Sequence, residues 1–218
     1  MSTTARTSGG STMDRDVRPV VTIWEQYGAG ADAIGRAVAE RLGAPYHAQA
    51  FSSEDIEGGP ADPSASLESR AVLAEVLGAM GGAYGGFEGR DVITTQRDKR
   101  DLVADNNDTV WRYAEEGGVI VGRNATVILA ARPRTLHVLL TGDVTDRVAR
   151  AAAESGIPLD QAARRQSRED QVRADMSRAL YGWDPRDPGR YDLVVNTSRI
   201  APAAAVNAIV DAVREGGS

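Results

Sequence analysis

The sequence has no cysteine, one lysine, two histidines and no long apolar run, and each shortage removes a class of chemistry. Without cysteine there is no disulfide, no thiolate metal site and no cysteine nucleophile, and a cytoplasmic protein is expected. No apolar stretch approaches the roughly 18 residues that cross a bilayer, so no membrane partner is expected. The net charge of −6 argues against a general nucleic-acid binder, because phosphate backbones need a basic footprint. Lys99 is the only lysine, so a phosphate-binding lysine is unavailable elsewhere and positive charge is carried by arginine, whose planar fork suits bidentate phosphate contacts. His47 and His137 stand apart from any acid and nucleophile pattern, and His137 lies inside an apolar stretch, the setting of a hydrogen-bonded structural residue. No metal-ligand spacing occurs, and no metal site made by the protein alone is expected.

What remains is an ordinary globular composition over 218 residues, 42% hydrophobic and 26% charged, enough for one large domain with a subdomain. Residues 1–17 read as a disordered tail, since Met1 to Asp16 is rich in Ser, Thr and Gly. The domain proper is expected over 18–218. Pro19 to Trp24 is short, apolar and β-branched, the pattern of a buried strand. A glycine turn follows, and Ile34, Val38 and Leu42 then fall at helical spacing before Gly43. Ala44 to Tyr46 reads as a short extended piece, Ser52 to Ser66 as a mobile loop, and Ala71 to Met80 as a helix. Arg90 to Asp101, dense in both charge signs, reads as a solvated helix end or loop, with a helix from Asn107 or Asp108 to Glu116. Further strands are expected at Val119 to Arg123, Leu136 to Leu140 and Tyr191 to Thr197. Between and after them come helices at Ala125 to Ala131, Val144 to Glu154, Leu159 to Leu180 and Ala203 to Val213. Strands alternating with helices imply a parallel α/β sheet with helices on both faces and ligands at the carboxyl ends of the strands.

Three loops therefore share a rim, after Trp24, Gly122 and Leu140. Gly28 and Gly30 place free backbone N–H groups and a helix N-terminus together, which favours an anion. The full phosphate loop would add a lysine and a hydroxyl, and here Ala31, Asp32 and Ala33 stand instead. Arg123, at the end of a buried strand, is hard to explain as packing. Asp143 suits a turn or helix cap better than a magnesium shell. Arg164, Arg165, Arg168, Arg173 and Arg178 fall three or four residues from Glu169, Asp170 or Asp175, so they pair on a helix or meet a ligand.

Val21 to Gly30 with Val38 to Tyr46, Val119 to Ala125, Leu136 to Arg147, Asp170 to Arg173 and Tyr191 to Thr197 together resemble the cytidylate kinase-like family of P-loop nucleotide kinases. The resemblance implies a three-layer P-loop kinase-like fold with a helical lid over residues 155–190 and an acceptor-binding insertion over 48–105. It also implies phosphoryl transfer from ATP, with Mg²⁺, to a small-molecule nucleotide such as CMP. In such chemistry catalysis is positioning and charge neutralisation. The resemblance puts Gly28, Ala29 and Gly30 on the donor phosphates and Arg123 on the acceptor phosphate. It puts Asn124 where an aspartate meets the acceptor sugar, and Arg173 as a lid arginine in both catalysis and donor binding. Asp170 becomes its substrate-side motif partner.

The chain departs from that pattern at Asp32, where a basic residue is usual, at Glu25, where arginine is frequent, and at Gln171, where lysine is common. Three readings follow: a nucleotide phosphotransferase, a kinase fold that binds a nucleotide or partner without turnover, and a kinase of another small molecule.

Overall fold

The strand that organises the sheet, β1 (Val20–Glu25), is buried at every position except Glu25. Such apolar, β-branched runs belong to interior strands covered on both faces. In the computed structural model, which describes residues 17–58, 73–76 and 92–216, β1 lies between β3 (Gly118–Val121) and β4 (Thr135–Thr141). β2 (Tyr46–His47) pairs outside β3, and β5 (Leu193–Asn196) outside β4. All pairings are parallel, in the order β2-β3-β1-β4-β5.

Side chains alternate across the sheet and divide the core. Val21 and Ile23 of β1 pack with Ile34 and Val38 of α1 (Ala31–Leu42) and with Ile209 and Val210 of α7 (Pro202–Glu215). On the opposite face Val20 and Ile120 meet Val110 and Ala114 of α3 (Val92–Glu116), together with Ala125 and Leu129 around the short α4 (Ala125–Ile128). The parallel sheet flanked by helices is the architecture expected from the sequence. α5 (Val144–Ser155) and α6 (Leu159–Tyr181) follow β4 and pack on each other.

Two local expectations change. The stretch expected to be loop from Ser52 contains helix α2 (Ser53–Gly58). A reciprocal pair starts it: the Asp55 N–H donates to Ser52 Oγ at 3.0 Å and the Ser52 N–H to Asp55 Oδ2 at 2.9 Å. This satisfies two N–H groups that a helix start leaves open. The helix expected to begin at Asn107 or Asp108 begins at Val92 and runs 25 residues. Residues 92–106 contain no glycine or proline to stop it, and Asn107 is an interior position rather than a cap. Of the expected helix at 71–80, residues 73–76 are helical and its remainder lies outside the described residues, as does the expected tail at 1–16. Asp143 occupies the N-cap position of α5 without a side-chain cap bond.

Candidate functional site

Two strand-to-helix turns meet at the carboxyl edge of neighbouring strands. The first, between β1 and α1, carries the glycine loop. Three of its N–H groups are engaged by the chain itself: Tyr27 donates to Asp170 Oδ1 at 2.7 Å, Ala29 to the Gln26 carbonyl at 2.9 Å, and Ala31 to Glu25 Oε2 at 3.0 Å. The loop carbonyls are engaged as well. Arg147 Nη1 donates to the Tyr27 oxygen at 2.8 Å and Arg150 Nη1 to the Gly28 oxygen at 2.6 Å.

Arg147 is only 2% exposed and also pairs with Asp170 Oδ2 at 3.1 Å, where Gln166 Nε2 donates at 2.8 Å. Gly28 has φ +76°, and a Cβ there would stand 2.3 Å from the Arg147 carbonyl oxygen. Only glycine lets this loop lie on α5 so closely. Asp32 accepts from Arg36 at 2.9 Å and from the Tyr46 hydroxyl at 2.8 Å, and these partners hold its carboxyl below the usual carboxylate range.

The second turn, Gly122 to Asn124, opens on a cavity of about 400 Å³ whose lining includes Glu25, Gln49, Asp105, Arg123, Asn124 and Arg173. Gly122, Arg123 and Asn124 all have left-handed φ values, +69°, +56° and +54°. Arg123 donates through Nε to the Ala48 carbonyl at 3.1 Å, and its guanidinium lies 5.6 Å from the Tyr113 ring centre. Burial lowers its pKa, because desolvation disfavours the charged guanidinium.

Asn124 Oδ1 accepts from the Trp183 indole at 2.9 Å, fixing the amide. Asn106 Nδ2 ties the turn to α3 and α6 by donating to the Arg123 carbonyl at 2.8 Å and to the Tyr181 hydroxyl oxygen at 2.7 Å. Arg173 is held by Glu169 Oε2 at 2.8 Å, on a carboxylate that is 2% exposed.

Glu25 joins the two turns. One oxygen caps Ala31 and the other accepts from Gln49 Nε2 at 2.9 Å, while the side chain forms part of the cavity wall. Burial pushes its carboxyl up to about 7, partly offset by the Ala31 N–H and the Arg173 charge.

Of the residues singled out in the sequence, Arg123, Asn124 and Arg173 line one cavity. Gly28, Ala29, Gly30 and Asp170 are not among its lining residues, and Asp170 holds the loop through Tyr27 and Arg147. Gln171 faces away from such work, donating to Asp175 Oδ2 at 2.8 Å. Sequence reasoning missed Arg150, Asn106, Gln49 and Trp183, and it saw Glu25 only as a misplaced charge. The one signal for Glu25 was an acid six residues before a helix's first N–H, across a glycine loop.

A profile described as the cytidylate kinase-like family matches residues 20–199. The chain belongs to this family. A uronate isomerase of Corynebacterium glutamicum is 31% identical over 110 residues, which is 50% of this chain and 21% of that protein. A cytidylate kinase of Ignicoccus hospitalis is 31% identical over 100 residues, 46% of this chain and 58% of that enzyme. The chain thus spans less than two thirds of either curated relative. A crystal structure of an uncharacterized protein from Eubacterium ventriosum shares the fold, with a TM-score of 0.62 at 17% identity over 91% of this chain and 99% of that one.

The family implies ATP and Mg²⁺, and the β1–α1 loop does not fit them. Its Tyr27 and Ala31 N–H groups are already bonded to carboxylates, and positions 31–33 supply neither the lysine nor the magnesium hydroxyl of a phosphate loop. Among the described residues no group of three His, Asp or Glu side chains is arranged to hold a metal, and no helix is long and apolar enough to cross a membrane.

Proposed function

We propose that this family member binds a nucleoside monophosphate such as CMP, or a related small phosphorylated molecule, in the cavity beside the Gly122 to Asn124 turn, without taking a phosphoryl group from ATP at the β1–α1 loop. The observation that carries this reading is the convergence of Arg123, Asn124 and Arg173 on one cavity of about 400 Å³. A space of that size at the carboxyl end of a parallel sheet accommodates a small nucleotide. Arg123 and Arg173 supply charge-assisted donors for the phosphate, and Asn124 supplies an amide for the sugar.

The expected acceptor-binding insertion over 48–105 contributes Gln49, Phe51 and Asp105 to the lining, and the lid-like segment over 155–190 contributes Arg173, Ser177 and Tyr181. Both segments therefore belong to ligand capture in this reading. Absence of turnover is supported by the misfit of the loop to ATP and Mg²⁺.

Calorimetric titration with CMP and with ATP, each with and without Mg²⁺ and followed by a product assay, tests the reading. CMP is expected to bind and Arg123→Ala to weaken it at least tenfold, about 1.4 kcal/mol, while ATP gives no product. Failure of CMP and other nucleoside monophosphates to bind at millimolar concentration overturns the binding reading. Magnesium-dependent transfer from ATP restores the phosphotransferase reading instead.

A further inference from the structure

We propose that the β1–α1 loop is occupied in cis, with Glu25 and Asp170 presenting carboxylate oxygens to the Ala31 and Tyr27 N–H groups, and that Glu25 thereby restricts the cavity to ligands bearing a single phosphate group. The restriction to one phosphate rests on the nucleotide-binding reading above; the occupancy of the loop does not.

A strand, a glycine loop and a helix N-terminus attract an anion because open N–H groups converge there. In this chain the anions are internal. Glu25 Oε2 sits 3.0 Å from the first N–H of α1, and Asp170 Oδ1 sits 2.7 Å from the Tyr27 N–H. These are the lengths of charge-assisted bonds to an oxyanion. The two carboxylates come from different elements, Glu25 from the end of β1 and Asp170 from α6, so the loop is tied to both.

Arginines complete the enclosure. Arg147 and Arg150, on α5, donate to the Tyr27 and Gly28 carbonyls rather than standing open toward a ligand. The loop is also pressed so closely on the Arg147 backbone that a methyl group at Gly28 would not fit. An incoming phosphate chain would have to displace Glu25, face Asp170 and meet Asp32 in the first turn of α1, with like charge at Asp170 and Asp32 and, above about pH 7, at Glu25 as well. A ligand with one phosphate avoids this, since Arg123 and Arg173 line the cavity and Gly28, Ala29 and Gly30 do not.

The test uses the full chain with inorganic pyrophosphate as the probe, and amide NMR of Tyr27 and Ala31 as the readout beside calorimetry. In the wild type both amides should be protected from exchange and unmoved by millimolar pyrophosphate. Glu25→Ala should bind pyrophosphate at least tenfold more tightly than the wild type, and Glu25→Gln, which keeps an acceptor oxygen and loses the charge, should fall between them. Asp170→Ala, which removes the acceptor oxygen, should free the Tyr27 amide to exchange while leaving Ala31 protected.

Perturbation of the wild-type Tyr27 and Ala31 amides by pyrophosphate overturns the proposal, as does a Glu25→Gln variant that binds pyrophosphate no better than the wild type. Those two outcomes stand even where Glu25→Ala fails to fold. CMP binding by the wild type is scored separately, so its loss sinks the nucleotide reading without touching the occupied loop.

Discussion

The turns after β1 and β3 are neighbours with the same plan, a buried strand running into glycine and then a helix, and they have opposite fates. In the first, the chain's own carboxylates and arginines engage the Tyr27 and Ala31 N–H groups and the Tyr27 and Gly28 carbonyls. In the second, Arg123 and Asn124 are turned onto a cavity. A glycine turn at a strand's end is thus a potential anion site whose availability depends on residues far away in sequence. Asp170 reaches Tyr27 across 143 positions.

The sharpest way to break the comparison is at the arginines. Arg147→Ala leaves Asp170 without its ion-pair partner and the Tyr27 and Gly142 carbonyls without their donor. Chemical denaturation should show a loss of about 3–5 kcal/mol, the usual effect of breaking a buried pair. Arg123→Ala, by contrast, should change stability by less than about 1 kcal/mol while it reduces ligand affinity. Equal stability effects would mean that the first turn is no more closed than the second.

A smaller effect separates the glycines. Both Gly28 and Gly122 have positive φ, but a Cβ at Gly122 meets nothing nearer than the flexible Gln49 side chain at 3.5 Å. Gly122→Ala should therefore show backbone strain alone, about 1 kcal/mol, and Gly28→Ala about 2–3 kcal/mol because the Arg147 backbone must also move. Paired thermal melts of the two variants would measure the gap.

The smallest effect is one of pH. With the Glu25 carboxyl at about 7 in the fold against an ordinary value of 4.5, the folded state holds a proton that the unfolded chain has released in that window. Its contribution to stability is complete below 4.5 and is lost as the pH rises through about 7. The loss appears as a fall in Tm across that window. His47 and His137, whose pKa values burial lowers, act in the opposite sense. The measurement is therefore the difference in Tm between wild type and Glu25→Gln from about pH 5 to about pH 8. The variant should show the weaker decline, and parallel curves would remove the charge from Glu25's account.

The legible part of the molecule was the part written in local pattern. Runs such as Val119 to Val121 and Leu136 to Leu140 have few alternatives to a buried strand, and Gly43 and Gly156 end their helices in left-handed caps. Arg123 stood out because an arginine at the end of such a run has no packing reason to be there. The start of α3 was hidden because charge of both signs over Arg90 to Asp101 gives no apolar period, while the absence of a breaker does not announce a helix. The occupied loop was hidden for another reason. Glu25 and Asp32 could be read as wrong in sign for a phosphate, yet only folding places Glu25 on Ala31 and brings Asp170 and two arginines of α5 to the same loop.

Three successive residues in the left-handed region, from Gly122 to Asn124, would be most comfortably built from glycine alone. An L side chain there costs about 1–2 kcal/mol, and less for asparagine. The turn nevertheless keeps a long cation and an amide, and points both at a space that the fold does not fill. Their bonds to the Ala48 carbonyl and the Trp183 indole hold them in place, so the strain of this turn is coupled to two polar side chains fixed at the cavity wall.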